Sequence, residues 1–198
     1  DGTDPTACVV LGDGVEQGAF GWKKSAADAN TAFERAALIV EGTCRKGDAS
    51  ACSLQALLGV EDRGGLKPAA DARTRIAPLC GPEDALGCAS LGRAFLLEAC
   101  GPVEPVKALT TWQLGCQSKQ ANSCRRLARL LLDGAAGVPK DAASAQALFD
   151  GACEENDADA CQQLGKLLLS GDGGTKDVKR AKAAKKKACK LGLKEACR

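Results

Sequence analysis

The sequence contains no histidine, methionine or tyrosine, and aromatic residues make up only 3% of its 198 residues. Without histidine, Ser-His and Cys-His catalytic pairs and the HExxH zinc motif are excluded. Abundant Ala and Leu with so few aromatic residues favour closely packed helices over a β-sandwich, because strands prefer β-branched and aromatic side chains. No apolar run reaches the length of a membrane span. The net charge of +2 gives no indication of nucleic-acid binding, so no nucleic-acid partner and no transmembrane segment are expected.

Cysteine, by contrast, is abundant, with 12 in the chain. Zinc sites use C-x2–4-C pairs or add histidine, whereas ten of these cysteines have C-x7-C spacing, which favours disulfides over metal. We therefore expect no metal and no cofactor. Disulfides indicate an oxidising compartment: the periplasm, the cell surface or the secreted medium. The five pairs are Cys44 and Cys52, Cys80 and Cys88, Cys116 and Cys124, Cys153 and Cys161, and Cys189 and Cys197.

The cysteine pairs belong to an internal repeat. Their first members are separated by 36, 36, 37 and 36 residues. A leucine follows three residues after the second cysteine in most units, and a small residue comes next. An alanine precedes each first cysteine by eight residues: Ala36, Ala72, Ala108, Ala145 and Ala181. A period of this length is typical of stacked helical units.

Each unit is predicted to contain two helices. Helix A starts at the second cysteine, a Gly-rich loop follows, and helix B runs to the next first cysteine. Asp141 and Asp177 are expected to be N-terminal caps of B helices. The chain then forms one array over residues 1–198, with units at approximately 1–44, 45–80, 81–116, 117–153 and 154–189 and a C-terminal cap at 190–198.

The pattern A-C-x-x-L-G-x-x-L…G-x-G…K-D…A…A-C, as in ACQQLGKLLLSG, resembles the Sel-like repeat, a relative of the tetratricopeptide repeat. With C-x7-C in each unit, the chain is similar to the secreted cysteine-rich branch of bacterial Sel-like proteins. The resemblance implies an all-α fold, a right-handed α/α solenoid of about five helical hairpins, which usually binds other proteins. Some members of that branch are also described as penicillin-binding or as weak β-lactam hydrolases.

In this arrangement each disulfide joins the end of helix B to the start of the next helix A. Cys8 and Cys100 remain outside the pairs. They lie two repeats apart, whereas a disulfide needs Cα atoms within about 7 Å, so a direct bridge between them is disfavoured. A free thiol or a bond to another chain is the favoured alternative, and an oligomer is possible through either cysteine.

We expect a secreted or periplasmic interaction scaffold without catalysis, which binds another protein or an extended peptide in its concave groove. One alternative is binding of β-lactams or cell-wall peptides, with weak β-lactamase activity. This alternative is weakened because no S-x-x-K motif occurs. A further alternative is binding of anionic polymers or surfaces by the basic C-terminal helix. Residues 176–198 contain ten Lys or Arg and two Asp or Glu residues, hence net +8, although a solvated outer face would have the same composition.

The groove itself is expected to lie on the A helices. Residues two before and two after the signature leucine share a helical face, which gives Arg93, Arg125, Arg129 and Lys166. These four are predicted to form a concave basic stripe for an acidic or extended peptide, and the alternative is a set of solvated side chains. Trp22 lies in an N-terminal insertion, where it either packs over the open end of the array or anchors a partner.

Overall fold

The computed structural model describes residues 25–46, 49–81 and 87–197. These residues form helices joined by turns, without a named β-strand. The α-helices are α1 Ala26–Cys44, α2 Ala49–Val60, α3 Ala72–Ile76, α4 Cys88–Ala94, α5 Pro105–Gln117, α6 Ala121–Asp133, α7 Ala142–Glu154, α8 Ala158–Ser170 and α9 Val178–Lys190. Short 3-10 helices cover Ala77–Leu79, Glu98–Cys100 and Lys194–Cys197.

The helices alternate as the repeat predicts: α2, α4, α6 and α8 are A helices, and the odd-numbered helices are B helices. Contacts divide the chain into two compact units, Asp1–Val103 and Glu104–Arg198, each described here by itself. Within each unit, helices that are consecutive in sequence pack against each other. The all-α class and the paired-helix repeat are therefore confirmed.

The second unit has one continuous core, which includes side chains of α6, α7, α8 and α9. The alanines of the repeat register, among them Ala145 and Ala181, are fully buried. Their small side chains allow neighbouring helices to approach closely. A Cβ atom on Gly165 would lie 2.9 Å from Lys185 Cγ and 3.3 Å from the Ala181 carbonyl oxygen, so α8 and α9 are nearly in backbone contact.

The first unit has two smaller cores. Phe33 and Val40 lie on one face of α1 and pack with Leu58 of α2. The other cluster joins α2, α3 and α4 around Ile76 and includes Cys100. Helix α3 is only five residues long, because Pro78 has no N–H to donate and its ring clashes with the preceding turn. The chain continues as a 3-10 turn instead.

The predicted start of helix A is wrong by three residues in three of the four A helices. Helices α2, α6 and α8 begin at Ala49, Ala121 and Ala158, each three residues before the second cysteine of its pair. In α8 the reason is Asp157, whose side chain accepts a hydrogen bond from the Ala160 N–H and caps the helix. The predicted caps of the B helices are present: Asp141 accepts from the Ser144 N–H, and Asp177 accepts from the Arg180 N–H.

The turn that follows helix B has the same geometry three times in the second unit. One residue has positive φ, namely Lys119 (58°), Asn156 (67°) or Gly192 (92°). The next N–H bonds back to the carbonyl five residues earlier, as from Asp157 to Ala152 at 3.1 Å. A disulfide closes each turn, and the five bridges of the chain, Cys44–Cys52, Cys80–Cys88, Cys116–Cys124, Cys153–Cys161 and Cys189–Cys197, have Cα–Cα distances of 4.6–4.8 Å.

Candidate interaction surface

The outward faces of α6 and α8 form the candidate site in the second unit. Equivalent residues on the two helices are 37 positions apart, so the two faces occupy the same place in successive repeats. On each helix the outward residues recur at i, i+4, i+7 and i+11, which is one helical face. This A-helix surface consists of Asn122, Arg126, Arg129 and Asp133 on α6 and Asp159, Gln163, Lys166 and Ser170 on α8.

Arg125 connects the two A helices beneath this surface. Its Nε donates to Asp157 Oδ2 at 2.8 Å, and one of its terminal nitrogens donates to Asn122 Oδ1 at 2.8 Å. The side chains of Arg125 and Asp157 are 29% and 12% exposed. Because the guanidinium is half-buried and already paired with Asp157, its main role is to connect the two repeats. Little of its positive charge is available to a ligand.

Arg129 and Lys166 are the more exposed members of the predicted stripe. Arg129 pairs with Asp133 on the same helix at 2.7 Å, and both side chains are more than half exposed. Such an exposed pair is weak and easily rearranged. Lys166 is exposed at the equivalent position of α8, where Ser170 replaces the aspartate. These two cations are therefore the ones most accessible to a partner.

Arg93 belongs to the first unit, where it has a different environment. Its guanidinium donates to Glu61 Oε2 at 3.0 Å, and the Ser90 hydroxyl donates to Glu61 Oε1 at 2.9 Å. The Glu61 side chain is only 10% exposed. Arg93 and Glu61 line a pocket of about 350 Å³ together with Asn30, Phe33, Asp62 and Arg63, beside Ala26 and Ala29.

The hydrogen bond from the Ser90 hydroxyl to the Glu61 carboxylate raises the question of hydrolysis. Ser90 is 5% exposed, and its hydroxyl is held by a carboxylate that also binds Arg93. The hydroxyl is buried and its acceptor is also paired with Arg93, and the contact fastens α4 to the end of α2. The burial of Ser90 and the pairing of Glu61 with Arg93 favour a structural role for this contact.

Cys100, left unpaired by the spacing, is a free thiol and is 2% exposed in the core of the first unit. Burial raises its pKa, although the nearby Arg73 guanidinium acts in the opposite direction. A thiol so placed has no direct access to another chain. Cys8 and Trp22 lie outside the described residues.

Two further observations concern residues 25–46, 49–81 and 87–197. No helix there combines the length and apolar character of a membrane span. In the same residues no group of three or more Cys, Asp or Glu side chains is placed to hold a metal ion.

The sequence reasoning missed the connecting role of Glu61 and Asp157. Each lies about 32 residues from its arginine in the chain, and neither belongs to a motif. A partial signal existed for Asp157, since it precedes an apolar helix in the position favoured for an N-cap. Arg126, which donates from Nε to Asn122 Oδ1 at 3.0 Å, was also missed.

Alternating A and B helices, with a disulfide across each turn that follows a B helix, define the chain as an α/α repeat protein. No protein-family model matches it, and no curated protein is significantly similar in sequence. Solved structures are similar, however. A Sel1 repeat protein from Oxalobacter formigenes aligns over 98% of this chain and 74% of its own length, with a TM-score of 0.63 and 18% identity.

Two further structures agree with that likeness. The protective antigen c5321 of uropathogenic Escherichia coli, which displays an SLR fold, has a TM-score of 0.60 and 19% identity over 98% of this chain. The chain spans 40% of the length of c5321. Cysteine-rich protein B (hcpB) of Helicobacter pylori has a TM-score of 0.52 and 29% identity over 64% of this chain and 90% of its own. The chain thus has the SLR fold, and the resemblance to Sel-like repeats and the disulfide-stapled solenoid class are confirmed.

Proposed function

We propose that this chain is a non-catalytic interaction scaffold that binds an extended segment of another protein through the A-helix surface. The observation that carries the proposal is a polar face at equivalent positions of α6 and α8, with a cation at the same place on each, Arg129 and Lys166. An extended segment that crosses both helices would meet a cation at the same repeat position on each of them, and stacked repeats commonly bind extended ligands in this way.

The chemistry of the surface favours a polar segment with one or two acidic side chains. Arg129 and Lys166 supply cations, and the side-chain amides of Asn122 and Gln163 supply hydrogen-bonding groups for a peptide backbone. Asp133 and Asp159 offset part of the positive charge. The surface is therefore only weakly basic, and hydrogen bonds must contribute to its selectivity.

The proposed location is an oxidising, extracytoplasmic compartment. Five disulfides within a chain of 198 residues fit this location, because thiols in a reducing cytosol do not remain bridged. A partner should accordingly be sought among periplasmic, surface or secreted proteins.

The test starts with capture of partners from the native source on the immobilised, oxidised protein, followed by mass spectrometry. Affinity of the purified partner is then measured for the Arg129→Glu/Lys166→Glu variant. We expect a loss of about tenfold or more, mostly as a slower, salt-dependent association. The matched control is Lys140→Glu/Lys176→Glu, which makes the same charge change on exposed loop residues of the same unit.

Equal losses in the two variants would contradict the assignment of the surface, because only overall charge would then matter. Undiminished binding by the Arg129→Glu/Lys166→Glu variant, with loss on Trp22→Ala, would place the site in the N-terminal insertion instead. Turnover of a chromogenic β-lactam that survives repurification and disappears in a point variant would contradict the absence of catalysis.

A further inference from the structure

Helix α9 carries a row of four exposed lysines. Lys179, Lys182, Lys186 and Lys190 recur at i, i+3, i+7 and i+11, which places them on one helical face. Helix α9 has no acidic residue, and none of these four lysines forms an ion pair within the residues that the structure describes. At a rise of 1.5 Å per residue, the row is about 16 Å long.

The other basic residues of α9 have structural partners. Arg180 binds the Asp150 carboxylate of α7 at 2.6 Å, and Lys187 Nζ donates to the Glu154 carbonyl oxygen at 3.2 Å. The aliphatic part of Lys185 packs over Gly165 of α8. Positive charge on α9 is thus divided between residues that fasten the helix and a row that faces solvent.

A groove lies beside the row. It has a volume of about 270 Å³ and is lined by Lys182, Lys185 and Lys186, with Ala196 and the Cys189–Cys197 disulfide as an apolar floor. Two lysines, Lys182 and Lys186, therefore belong to both the row and the groove. Lysine side chains thus border an apolar surface that can pack against an uncharged ring.

Like charges at these spacings destabilise a helix. Solubility alone does not require them in a single row, since a mixture of both signs provides it at lower cost. A linear polyanion lying along the helix would remove the repulsion between the lysines and contact several of them at once. The row is therefore better explained by a ligand than by the stability of α9.

We propose that the lysine row and its groove bind a linear acidic polysaccharide, a function separate from the protein contact at the A-helix surface. Lysine is a point charge and does not provide the fork by which arginine recognises planar groups bidentately. The row also carries no aromatic residue, whereas single-stranded nucleic acids are held by stacking on aromatic side chains. Carboxylates or sulfates of the glycan would contact the lysines, and a sugar ring would cover the apolar floor.

The experiment uses heparin, a sulfated linear polysaccharide, immobilised on a column and eluted with salt. The test variant changes Lys179, Lys182, Lys186 and Lys190 to Gln. The control variant changes Lys46, Lys67, Lys107 and Lys140 to Gln, which removes the same charge from other parts of the chain. We expect the wild type and the control to be retained at about 0.15 M ionic strength, where long-range attraction is largely screened, and the test variant to flow through.

Equal elution of the two variants would overturn the proposal, because binding would then follow net charge alone. Tighter binding of oligo(dT) or of phosphatidylserine vesicles than of heparin would also overturn it, since the ligand class would be wrong. Circular dichroism checks that both variants fold. The Arg129→Glu/Lys166→Glu variant, which tests the protein contact, should still bind heparin. This proposal and the proposed protein contact can therefore fail independently.

Discussion

At the scale of single residues, Asp157 has two structural functions in one side chain. Its Oδ1 accepts the Ala160 N–H at 2.8 Å and caps α8, while its Oδ2 accepts from Arg125 Nε at 2.8 Å. The cap orients the start of one A helix, and the ion pair connects it to the A helix before it. Asp177 caps α9 in the same manner, by accepting the Arg180 N–H at 2.8 Å, but no ion pair of Asp177 is found in the described residues.

These contacts predict different costs for three variants. Asp177→Ala should lower the free energy of unfolding by about 1 kcal/mol, as expected for a lost cap. Asp157→Ala should cost more, because it also leaves the half-buried Arg125 without its carboxylate. Asp157→Asn keeps the cap and should fall between the wild type and Asp157→Ala. Urea denaturation measures all three, and equal effects of the two alanine variants would show that the ion pair adds nothing.

Cys100 predicts a low chemical reactivity. Burial both shields the thiol and raises its pKa, which lowers the fraction of reactive thiolate. Alkylation of Cys100 by iodoacetamide should be on the order of 100-fold slower in the folded protein than in denaturant, because local opening must come first. Peptide mapping assigns the label to Cys100. Labelling at the rate of an exposed thiol would show that this part of the core is open in solution.

At the scale of helices, glycine has opposite consequences in α2 and α7. A Cβ atom on Gly59 would lie 2.5 Å from the Lys67 carbonyl oxygen, which is backbone and cannot rotate away. A Cβ atom on Gly151 would meet nothing within 4 Å. Gly59 therefore permits a close backbone contact between α2 and the loop that follows it. Gly151 makes no such contact possible, and its effect is to give the unfolded chain more conformational freedom.

The two alanine substitutions should change stability in opposite directions. Gly59→Ala should lower the free energy of unfolding by about 1–3 kcal/mol, since the overlap forces a backbone shift. Gly151→Ala should raise it by about 0.5–1 kcal/mol, because glycine within a helix loses more conformational freedom on folding than alanine does. Urea denaturation of the two variants tests the packing, and a neutral Gly59→Ala would mean that the Lys67 carbonyl lies further away.

At the scale of the whole molecule, the disulfides compensate for cores made of small side chains. Many buried positions are alanines, which bury little apolar area each. The bridges restrict the unfolded chain at the B-to-A turns, and they do so at the same point of every repeat. Stability is therefore distributed along the chain and does not depend on one large core.

Peptide mapping without reduction should recover five bridges, each within one C-x7-C pair. A bridge between two different pairs would contradict the repeat register.

Changing Cys153 and Cys161 together to Ala should lower the free energy of unfolding by about 2–3 kcal/mol, the value expected for so small a loop. Reduction of all five should lower the melting temperature markedly.

Much of the fold could be predicted from the sequence because repeat contacts recur at fixed sequence separations. The alanines that recur with the period of 36 or 37 residues include Ala145 and Ala181, and both are fully buried. Local rules identified the caps at Asp141 and Asp177, since a cap involves residues only three positions apart. The shortening of α3 at Pro78 also follows from a local rule, although the prediction expected a full helical hairpin there.

The tertiary structure alone decided which charges are available to a partner. In the sequence Arg93, Arg125, Arg129 and Lys166 are all positive residues that lie two positions before or after the signature leucine of an A helix. In the folded chain Arg93 binds Glu61 and Arg125 binds Asp157, each across 32 residues, whereas Lys166 is exposed. The sequence by itself determined the periodic interior, because burial of small apolar residues depends on spacing. It did not determine these ion pairs, because they depend on the rotation and separation of neighbouring helices, which only packing establishes.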